Sequence, residues 1–258
     1  MIIDTNAFLG HYPFRRLVGN NAAEMVTTME RAGIGRALVS SLGAVFYRDA
    51  HQGNTELIDE IRNWKDRFIP IAVINPKYAG WQRDLEQVVK SFGMKGVALY
   101  PEHHGYTLTD EFGDAVLKAV IELDVPLVLT QRLEDRRQRH AWDVAEDLAM
   151  GAVVESAQRH KNLRIMLSNW IGLDGAKLAA AGLKGRCLID FARLHVLLNK
   201  DVPKLIDSMG IESVAFGSHI PFDYVGGSLV KLANLDTLND EDYEKVAWRN
   251  AASFFRFD

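Results

Sequence analysis

The sequence predicts an α/β fold, a (β/α)8 TIM barrel that forms a single domain over residues 1–258. Short runs rich in β-branched residues alternate with longer amphipathic stretches along the whole chain, as strands and helices do around a parallel sheet. Eight such units can be recognised, more than an open doubly wound sheet usually has. A length of 258 residues and a hydrophobic content of 48% also suit the one large core of a barrel.

The strands are predicted where apolar, β-branched runs end in polar residues. They cover residues 2–6, 36–41, 68–75, 96–101, 126–131, 163–169, 186–192 and 213–218. Helices are predicted between them, where apolar residues recur at helical spacing, over residues 22–32, 55–65, 81–92, 111–123, 144–160 and 200–209. A last helix runs from about 239 to 254, since Asn239 is a suitable N-cap and Asp-Glu-Asp follows it.

Charge and cysteine content narrow the possible partners. A net charge of −4 gives no broad positive field, so neither nucleic acid nor a membrane surface is predicted as a partner. The single Cys187 lies in an apolar segment, which is typical of a core residue in a reducing compartment. No signal-peptide pattern or bilayer-spanning apolar run is found. We therefore expect a cytoplasmic protein that acts on a small-molecule substrate.

Active sites of barrels lie at the carboxyl ends of the strands, so the polar residues there are the candidates for chemistry. The strand ends carry Asn6, Ser40, Ser41, Asn75, Tyr100, His103, His104, Thr130, Gln131, Arg132, Asn169, Asp190, Arg193, Ser218 and His219. Several of them would be ordinary exposed loop residues if the site were elsewhere.

Eight segments, taken in order and with their spacing, carry a family resemblance. They are Ile2-Ile-Asp4, Gly53-Asn-Thr-Glu-Leu57, the run from Asp66 to Pro76, the run from Lys95 to Pro101, Val125-Pro-Leu-Val-Leu129, Leu163-Arg-Ile-Met-Leu-Ser168, Phe216-Gly-Ser218 and Arg249-Asn-Ala-Ala252. The chain resembles the amidohydrolase-related proteins of the metal-dependent hydrolase superfamily, the branch that contains aromatic-acid decarboxylases and lactonases. The resemblance extends over nearly the whole length and implies a barrel enzyme.

The resemblance also implies where metal ligands would stand, and this chain has other residues there. The family's first strand ends in His-x-His, which falls on Asn6 and Phe8. Later ligands fall on Thr130 and Asn169, and a catalytic aspartate falls on His219. A catalytic zinc site needs about three ligands drawn from His, Cys and carboxylates. We therefore predict no cofactor, with a divalent metal on relocated ligands as a weaker alternative.

Three of these residues are predicted to be catalytic. His219 is a general base, because imidazole titrates near pH 6.5, or a donor that merely holds the following loop. Asn6 and Asn169 donate hydrogen bonds to a carbonyl or an oxyanion, or tie strands together as satisfied amides. The ring of Phe8 forms a ligand wall or plugs the barrel core.

Substrate binding is predicted for other residues at the barrel mouth. The arginine-rich segment after the fifth strand holds a carboxylate, unless Glu134 and Asp135 neutralise it locally. The predicted substrate-binding residues are Phe8, His11, Tyr100, His103, Thr130, Arg132 and Arg139. A relocated metal site could be built from the imidazoles of His11, His103, His104, His140 and His219.

Three functions remain open from the sequence. The first is a hydrolase or lyase that acts on a small carboxylated or lactone-like substrate without the usual metal. The second is a catalytically silent barrel that binds a small molecule or regulates another process. The third is a metal-dependent hydrolase with relocated ligands. The resemblance also leads us to expect a homodimer.

Overall fold

The predicted (β/α)8 barrel is confirmed by a computed structural model, which describes residues 1–198, 200–235 and 238–257. Eight parallel strands pair in chain order. They are β1 (Ile3–Leu9), β2 (Arg36–Ser41), β3 (Phe68–Val73), β4 (Val97–Leu99), β5 (Leu127–Thr130), β6 (Ile165–Ser168), β7 (Cys187–Asp190) and β8 (Val214–Ala215). Each predicted strand therefore exists, with shorter bounds in most cases.

The barrel closes where β1 meets the segment that follows β8. The backbone N–H of Thr5 donates to the carbonyl of Phe216 at 3.0 Å, and the N–H of His219 donates to the carbonyl of Asn6 at 2.8 Å. Because β8 has only two residues, much of this closure depends on residues 216–220. Residues 216–220 therefore close the barrel and also lie close to the predicted site at its mouth.

The helices form the outer layer. They are α1 (Ala22–Arg31), α2 (Leu42–Phe46), α3 (Ala50–Glu60), α4 (Trp81–Lys90), α5 (Pro101–His104), α6 (Glu111–Glu122), α7 (Met150–Arg159), α8 (Gly175–Ala180), α9 (Asp201–Met209), α10 (Val225–Ala233), α11 (Asp240–Glu244) and α12 (Asn250–Phe255). Asn239 caps α11 as predicted, since its side chain accepts from the N–H of Asp242. A π-helical turn, Lys245–Arg249, joins α11 to α12. In the described residues, no helix has the length and apolar character needed to cross a membrane.

Two predicted helices start at different residues in the structure. The helix α3 starts at Ala50, not at residue 55, because the side chain of Asp49 caps it by accepting from the N–H of His51. Gly53 lies inside this helix because a Cβ there would overlap the backbone of Ala44 in α2. The close packing of two helices thus overrides the helix-breaking tendency of glycine.

The helix α7 starts at Met150, not at residue 144. The preceding residues are held against the end of β5, where the N–H of Leu148 donates to the carbonyl of Gln131 at 2.9 Å. The sequence also misses the short helices α2, α5 and α8, together with α10. These helices follow strand ends directly or lie in loops, where the apolar spacing is too short to reveal a helical period.

The inside of the barrel is packed with side chains. Apolar residues from successive strands fill it, among them Leu38, Ile71, Ala98, Val128 and Met166, all of which are buried. Packing of this kind is general for barrels of eight strands, whose interior is a core and not a pore. Any room for a ligand must therefore lie at the mouth.

Candidate functional site

An amide pair occupies the centre of the mouth. The Asn6 Nδ2 donates to Asn169 Oδ1 at 2.8 Å and to Asp190 Oδ2 at 3.2 Å. The backbone N–H of Asn169, which has a left-handed conformation with φ 58°, donates to the same oxygen of Asp190. All three residues are buried. In this geometry the two amides tie β1, β6 and β7 together, as considered from the sequence, but Asn6 is not fully satisfied, because its buried Oδ1 has no hydrogen-bond partner among the described residues. The catalytic role of the two amides stays a prediction.

Asp190 ends β7 and holds this pair in place. Its other oxygen accepts from the N–H of Ala192 at 2.8 Å. Burial raises the pKa of Asp190, despite the hydrogen bonds that favour the ionised form. Gly217 lies against it so closely that a Cβ would stand 2.7 Å from the Cβ of Asp190. Asp190 was recognised in the sequence only as a strand-end residue, because nothing local indicates its partners.

A second buried carboxylate, Asp4, links β1 to the end of β8. Its Oδ1 accepts from the N–H of Asn6 at 3.0 Å and of Ser218 at 2.9 Å, and its Oδ2 accepts from the Ser218 hydroxyl. Burial raises the pKa of Asp4 to about 7. This residue was part of the family resemblance but was not predicted to have a role in the site.

His219 is completely buried and both of its ring nitrogens have partners. Nδ1 lies 2.9 Å from Asp223 Oδ2, and Nε2 lies 2.8 Å from the carbonyl oxygen of Leu133. A carbonyl and an ionised carboxylate only accept, so both contacts are satisfied when each nitrogen carries a hydrogen. Phe222 stacks on the ring at 4.9 Å, and Phe8 meets it edge-on at 5.9 Å. His219 therefore presents no lone pair to a substrate in this arrangement, and its predicted role as a base stays untested.

Three consecutive residues after β5, residues 132–134, receive the hydrogen bonds of the mouth. The carbonyl of Arg132 accepts from Asn169 Nδ2 at 3.3 Å, and the carbonyl of Leu133 accepts from His219 Nε2. The carboxylate of the third, Glu134, accepts from the Tyr12 hydroxyl at 2.8 Å and from Arg15 Nε at 2.6 Å. This segment therefore couples the ends of β6 and β8 to the loop that follows β1.

The arginines predicted to hold a substrate carboxylate have protein partners. Arg132 pairs with Asp147, and the Arg139 guanidinium donates to the carbonyl of Ala145. Asp135 accepts from Arg193 at 3.1 Å. Among the described residues, the partners of Arg132 and Arg139 are Asp147 and the carbonyl of Ala145, not Glu134 and Asp135 as considered from the sequence. A ligand carboxylate would have to displace these contacts.

The other predicted binding residues fall into two groups. Tyr100 is buried, and burial raises the pKa of its hydroxyl although a hydrogen bond with Thr130 opposes this. His103 Nε2 lies 3.6 Å from Asp143 Oδ1, with its ring 6.0 Å from that of Tyr100. His11, by contrast, is exposed in the loop after β1 and lines a surface cavity beside α1.

The space inside the barrel beside the buried residues of the mouth is very small. The cavity lined by Asn6, Phe8, Tyr100 and Thr130 has a volume of about 10 Å³, which is room for about one water molecule. Phe8 is 3% exposed and its ring contacts those of His219 and Phe222. Of the two roles considered for Phe8, the structure shows the geometry of a plug.

A larger cleft lies beside this packed centre, and we call it the mouth cleft. Its volume is about 810 Å³, and its walls include residues 15–19 after β1, residues 220–224 after β8 and the start of α10. Arg15 and Arg16 lie on one wall, and Phe222, Asp223 and Tyr224 lie on the other. The Cζ of Arg15 lies 5.9 Å from the centre of the Phe222 ring. This cleft could not be predicted from the sequence because its walls come from loops about 200 residues apart.

Asp223 is the ionisable group of the β8 loop that reaches this cleft, with 38% of its side chain exposed. Burial opposes its ionisation, but the hydrogen bond and charge of His219 outweigh burial and lower the pKa of this carboxyl. Arg193 Nε lies 3.6 Å from the same oxygen. Asp223 is therefore an ionised hydrogen-bond acceptor at neutral pH.

The donor set does not fit the metal site that the resemblance implies. Asn6, Phe8, Thr130 and Asn169 supply amides, a phenyl ring and a hydroxyl at the four ligand positions, not the histidines and carboxylates that bind catalytic metals. Within the described ranges, no three His, Cys, Asp or Glu side chains are grouped so that they could hold a metal ion.

Comparison with known proteins decides the family. The model of the amidohydrolase family named Amidohydro_2 matches residues 13–257. This chain belongs to the amidohydrolase family. The resemblance seen in the sequence is thus confirmed. None of the curated proteins matches this amidohydrolase.

Several solved structures share the fold of this amidohydrolase. One is a Staphylococcus aureus protein assigned to the amidohydrolases, with a TM-score of 0.77, 15% identity and 99% of each chain covered. Another is 2,6-dihydroxybenzoate decarboxylase bound to 2,6-dihydroxybenzoate, with a TM-score of 0.74, 14% identity and coverage of 99% and 98%. A third is dihydroxybenzoic acid decarboxylase from Polaromonas sp. JS666 with manganese and 2-nitroresorcinol, with a TM-score of 0.75, 17% identity and coverage of 99% and 96%.

The prediction of no cofactor is wrong in light of these structures. The Polaromonas decarboxylase contains bound manganese, which points to a metal cofactor and not to none. The reasoning from the sequence weighed the four replaced ligand positions above a relocated metal site, which it kept only as the weaker alternative. The expected homodimer stays a prediction. A small molecule as partner agrees with the ligands of these neighbours.

Proposed function

We propose that this amidohydrolase binds a small hydroxylated aromatic carboxylate in the mouth cleft. One observation carries the proposal, namely the fixed orientation of Arg15. Its Nε is held by the buried carboxylate of Glu134 at 2.6 Å, while 38% of its side chain is exposed at the cleft wall. A guanidinium has five N–H donors, so this one contact leaves others for a ligand carboxylate.

The walls of the cleft suit the remainder of such a ligand. Phe222 and the almost fully exposed Tyr224 offer aromatic surface, on which an aromatic ring packs edge-on or offset. Arg16 adds a second positive charge, and the ionised Asp223 accepts from a phenolic hydroxyl. The ligand of one neighbouring decarboxylase, 2,6-dihydroxybenzoate, combines a ring, a carboxylate and hydroxyl groups in this way.

A second candidate is turnover of the same ligand by a lyase or hydrolase reaction. It is favoured by the His219–Asp223 pair, in which the buried imidazole positions a carboxylate at the cleft wall. In a decarboxylation the bond from the ring to the carboxylate breaks, CO2 leaves, and the ring carbon takes up a proton. Asp223 is the group placed to exchange that proton. Its lowered pKa leaves little of the protonated form at neutral pH, which is why binding stands first.

Calorimetric titration with 2,6-dihydroxybenzoate tests both candidates. Resorcinol, which has the same ring and hydroxyls without the carboxylate, is the matched ligand. We expect 2,6-dihydroxybenzoate to bind, and Arg15→Gln to weaken it roughly tenfold or more, as loss of a charged hydrogen bond does. The control Arg159→Gln removes an exposed arginine of α7 that pairs with Glu155 and leaves the affinity unchanged.

The same samples are assayed for product, with and without added Mn²⁺ because the Polaromonas relative contains it. Binding without resorcinol formation supports the first candidate, and saturable resorcinol formation establishes the second. If 2,6-dihydroxybenzoate binds no better than resorcinol, or if Arg15→Gln binds it as well as the wild type, the cleft is not a carboxylate site and both candidates fail.

A further inference from the structure

A second cavity lies at the end of the barrel opposite the mouth cleft. Its volume is about 340 Å³, within the range of small-molecule pockets. It is lined by the first residues of β2 and β3, by Lys95 ahead of β4, and by the residues around the ends of α3 and α4. We call it the basal pocket.

The walls of the basal pocket are apolar. Ile58 and Ile61 come from the end of α3, Phe92 follows α4, Phe68 begins β3, and Phe257 comes from the C-terminal segment. Phe68 and Ile61 are buried, whereas Phe92 and Phe257 are partly exposed. An apolar ligand group would cover this surface, and its removal from water favours binding.

The charged side chains that line this pocket, among the residues that the structure describes, are those of Arg36, Lys65 and Lys95. In the part of the chain that the structure describes, no ion pair joins Lys65 or Lys95 to an acidic side chain. The Cζ of Arg36 stands 5.0 Å from the centre of the Phe257 ring, which fixes its charge at the pocket.

The positions of Lys65 and Lys95 near the ends of helices could also be explained without a ligand. The last carbonyls of a helix carry partial negative charge and attract cations without any ligand. Lys90, in the last turn of α4, is such a residue and pairs with Glu86 at 3.2 Å. Lys65 and Lys95 differ from it because both border the apolar cavity and, among the described residues, neither is paired with an acidic side chain.

We propose that the basal pocket binds an amphipathic carboxylate, whose hydrocarbon part packs on the apolar walls while its anionic head lies between Lys65 and Lys95. This site is separate from the mouth cleft and does not depend on the function proposed for that cleft. Its ligand class is a fatty or arylalkanoic acid.

Titration calorimetry with octanoate tests the basal pocket, with octanol as the uncharged ligand of equal chain length. We expect octanoate to bind roughly tenfold or more tightly than octanol, and the double variant Lys65→Gln/Lys95→Gln to lose that difference. Lys90→Gln is the control, because it removes an exposed lysine of the last turn of α4 that does not line the pocket, and it leaves octanoate affinity unchanged. All three lysines are exposed, so the variants keep the fold.

Charge reversal separates recognition from a structural role of the lysines. Lys65→Glu/Lys95→Glu rejects octanoate and binds octylammonium if the two positions recognise the ligand head. Equal binding of octanoate and octanol by the wild type, or unchanged octanoate affinity in the Gln variant, overturns the proposal. Arg15→Gln leaves octanoate affinity intact, and the Lys65→Gln/Lys95→Gln variant leaves 2,6-dihydroxybenzoate affinity intact, so failure at one site is distinct from failure at the other.

Discussion

Replacement of Asp4 by Asn changes the charge of a fully buried side chain while keeping its hydrogen bonds. The two backbone N–H groups of Asn6 and Ser218 both bind Oδ1, and the Ser218 hydroxyl binds Oδ2. An asparagine accepts the two N–H groups with its oxygen and donates to the hydroxyl with its Nδ2. The substitution therefore removes ionisation and little else.

The pH dependence of stability follows from the pKa of Asp4, which burial raises from 3.8 to about 7. Since the unfolded chain loses this proton at lower pH than the native state, the favourable contribution is fully present below about pH 3.8 and is lost as pH rises through about 7. The difference of about three pKa units corresponds to at most about 4 kcal/mol of unfolding free energy.

Urea unfolding of the wild type and Asp4→Asn at several pH values between about 5 and 8.5 measures this effect. We expect the variant to gain stability relative to the wild type as pH rises, by about 3 kcal/mol across this range. Asp207→Asn, an exposed aspartate in α9, is the control and shows no such trend. If the difference in unfolding free energy between the wild type and Asp4→Asn is constant with pH, the reasoning is refuted, because Asp4 would then keep the same charge throughout.

Three further outcomes are expected. Burial lowers the pKa of His104 to about 4, so its contribution to stability is present above about pH 6.5 and is lost as pH falls; His104→Asn should flatten the acid limb of a urea-unfolding series by up to about 3 kcal/mol. Gly53→Ala places a Cβ on the backbone of Ala44 and should lower the unfolding free energy, measured by urea unfolding, by about 2 kcal/mol or more. A thermal unfolding midpoint within about 1 °C of that of the wild type would contradict this overlap. Asn54→Ala removes the paired bonds to the backbone of Val73, at 2.8 and 2.9 Å, and should cost about 2–4 kcal/mol in the same assay, with an unchanged value arguing that water replaces both bonds.

The barrel could be predicted because its signal is local and repeated. Each strand is a short apolar run, and each long helix shows its own apolar face, so the alternation is visible without any tertiary contact. The short helix α2 was missed because its five residues hold little more than one turn. The start of α3 was missed because Gly53 looks like a helix breaker and is required there only by contact with Ala44.

The site was predictable only as far as strand ends reveal it. Asn6, Asn169 and His219 were located correctly at the mouth, since parallel strands bring their carboxyl ends to one face. Their partners could not be found in this way. Glu134 and Asp223 belong to loops after different strands, and their contacts depend on loop conformations that leave no periodic trace in the sequence.

The buried mouth and the exposed cleft form one hydrogen-bonded unit, which changes what a substitution at the centre should do. His219 bonds the carbonyl of Leu133, and the next residue, Glu134, holds Arg15 at the cleft wall. A change at His219 therefore moves the segment that orients the guanidinium, even though the imidazole itself is fully buried. Residues in one network are not energetically independent, so His219 and Arg15 substitutions should show a coupling free energy in ligand binding. We therefore expect His219 to act on the ligand by positioning Glu134 and Asp223 at the cleft.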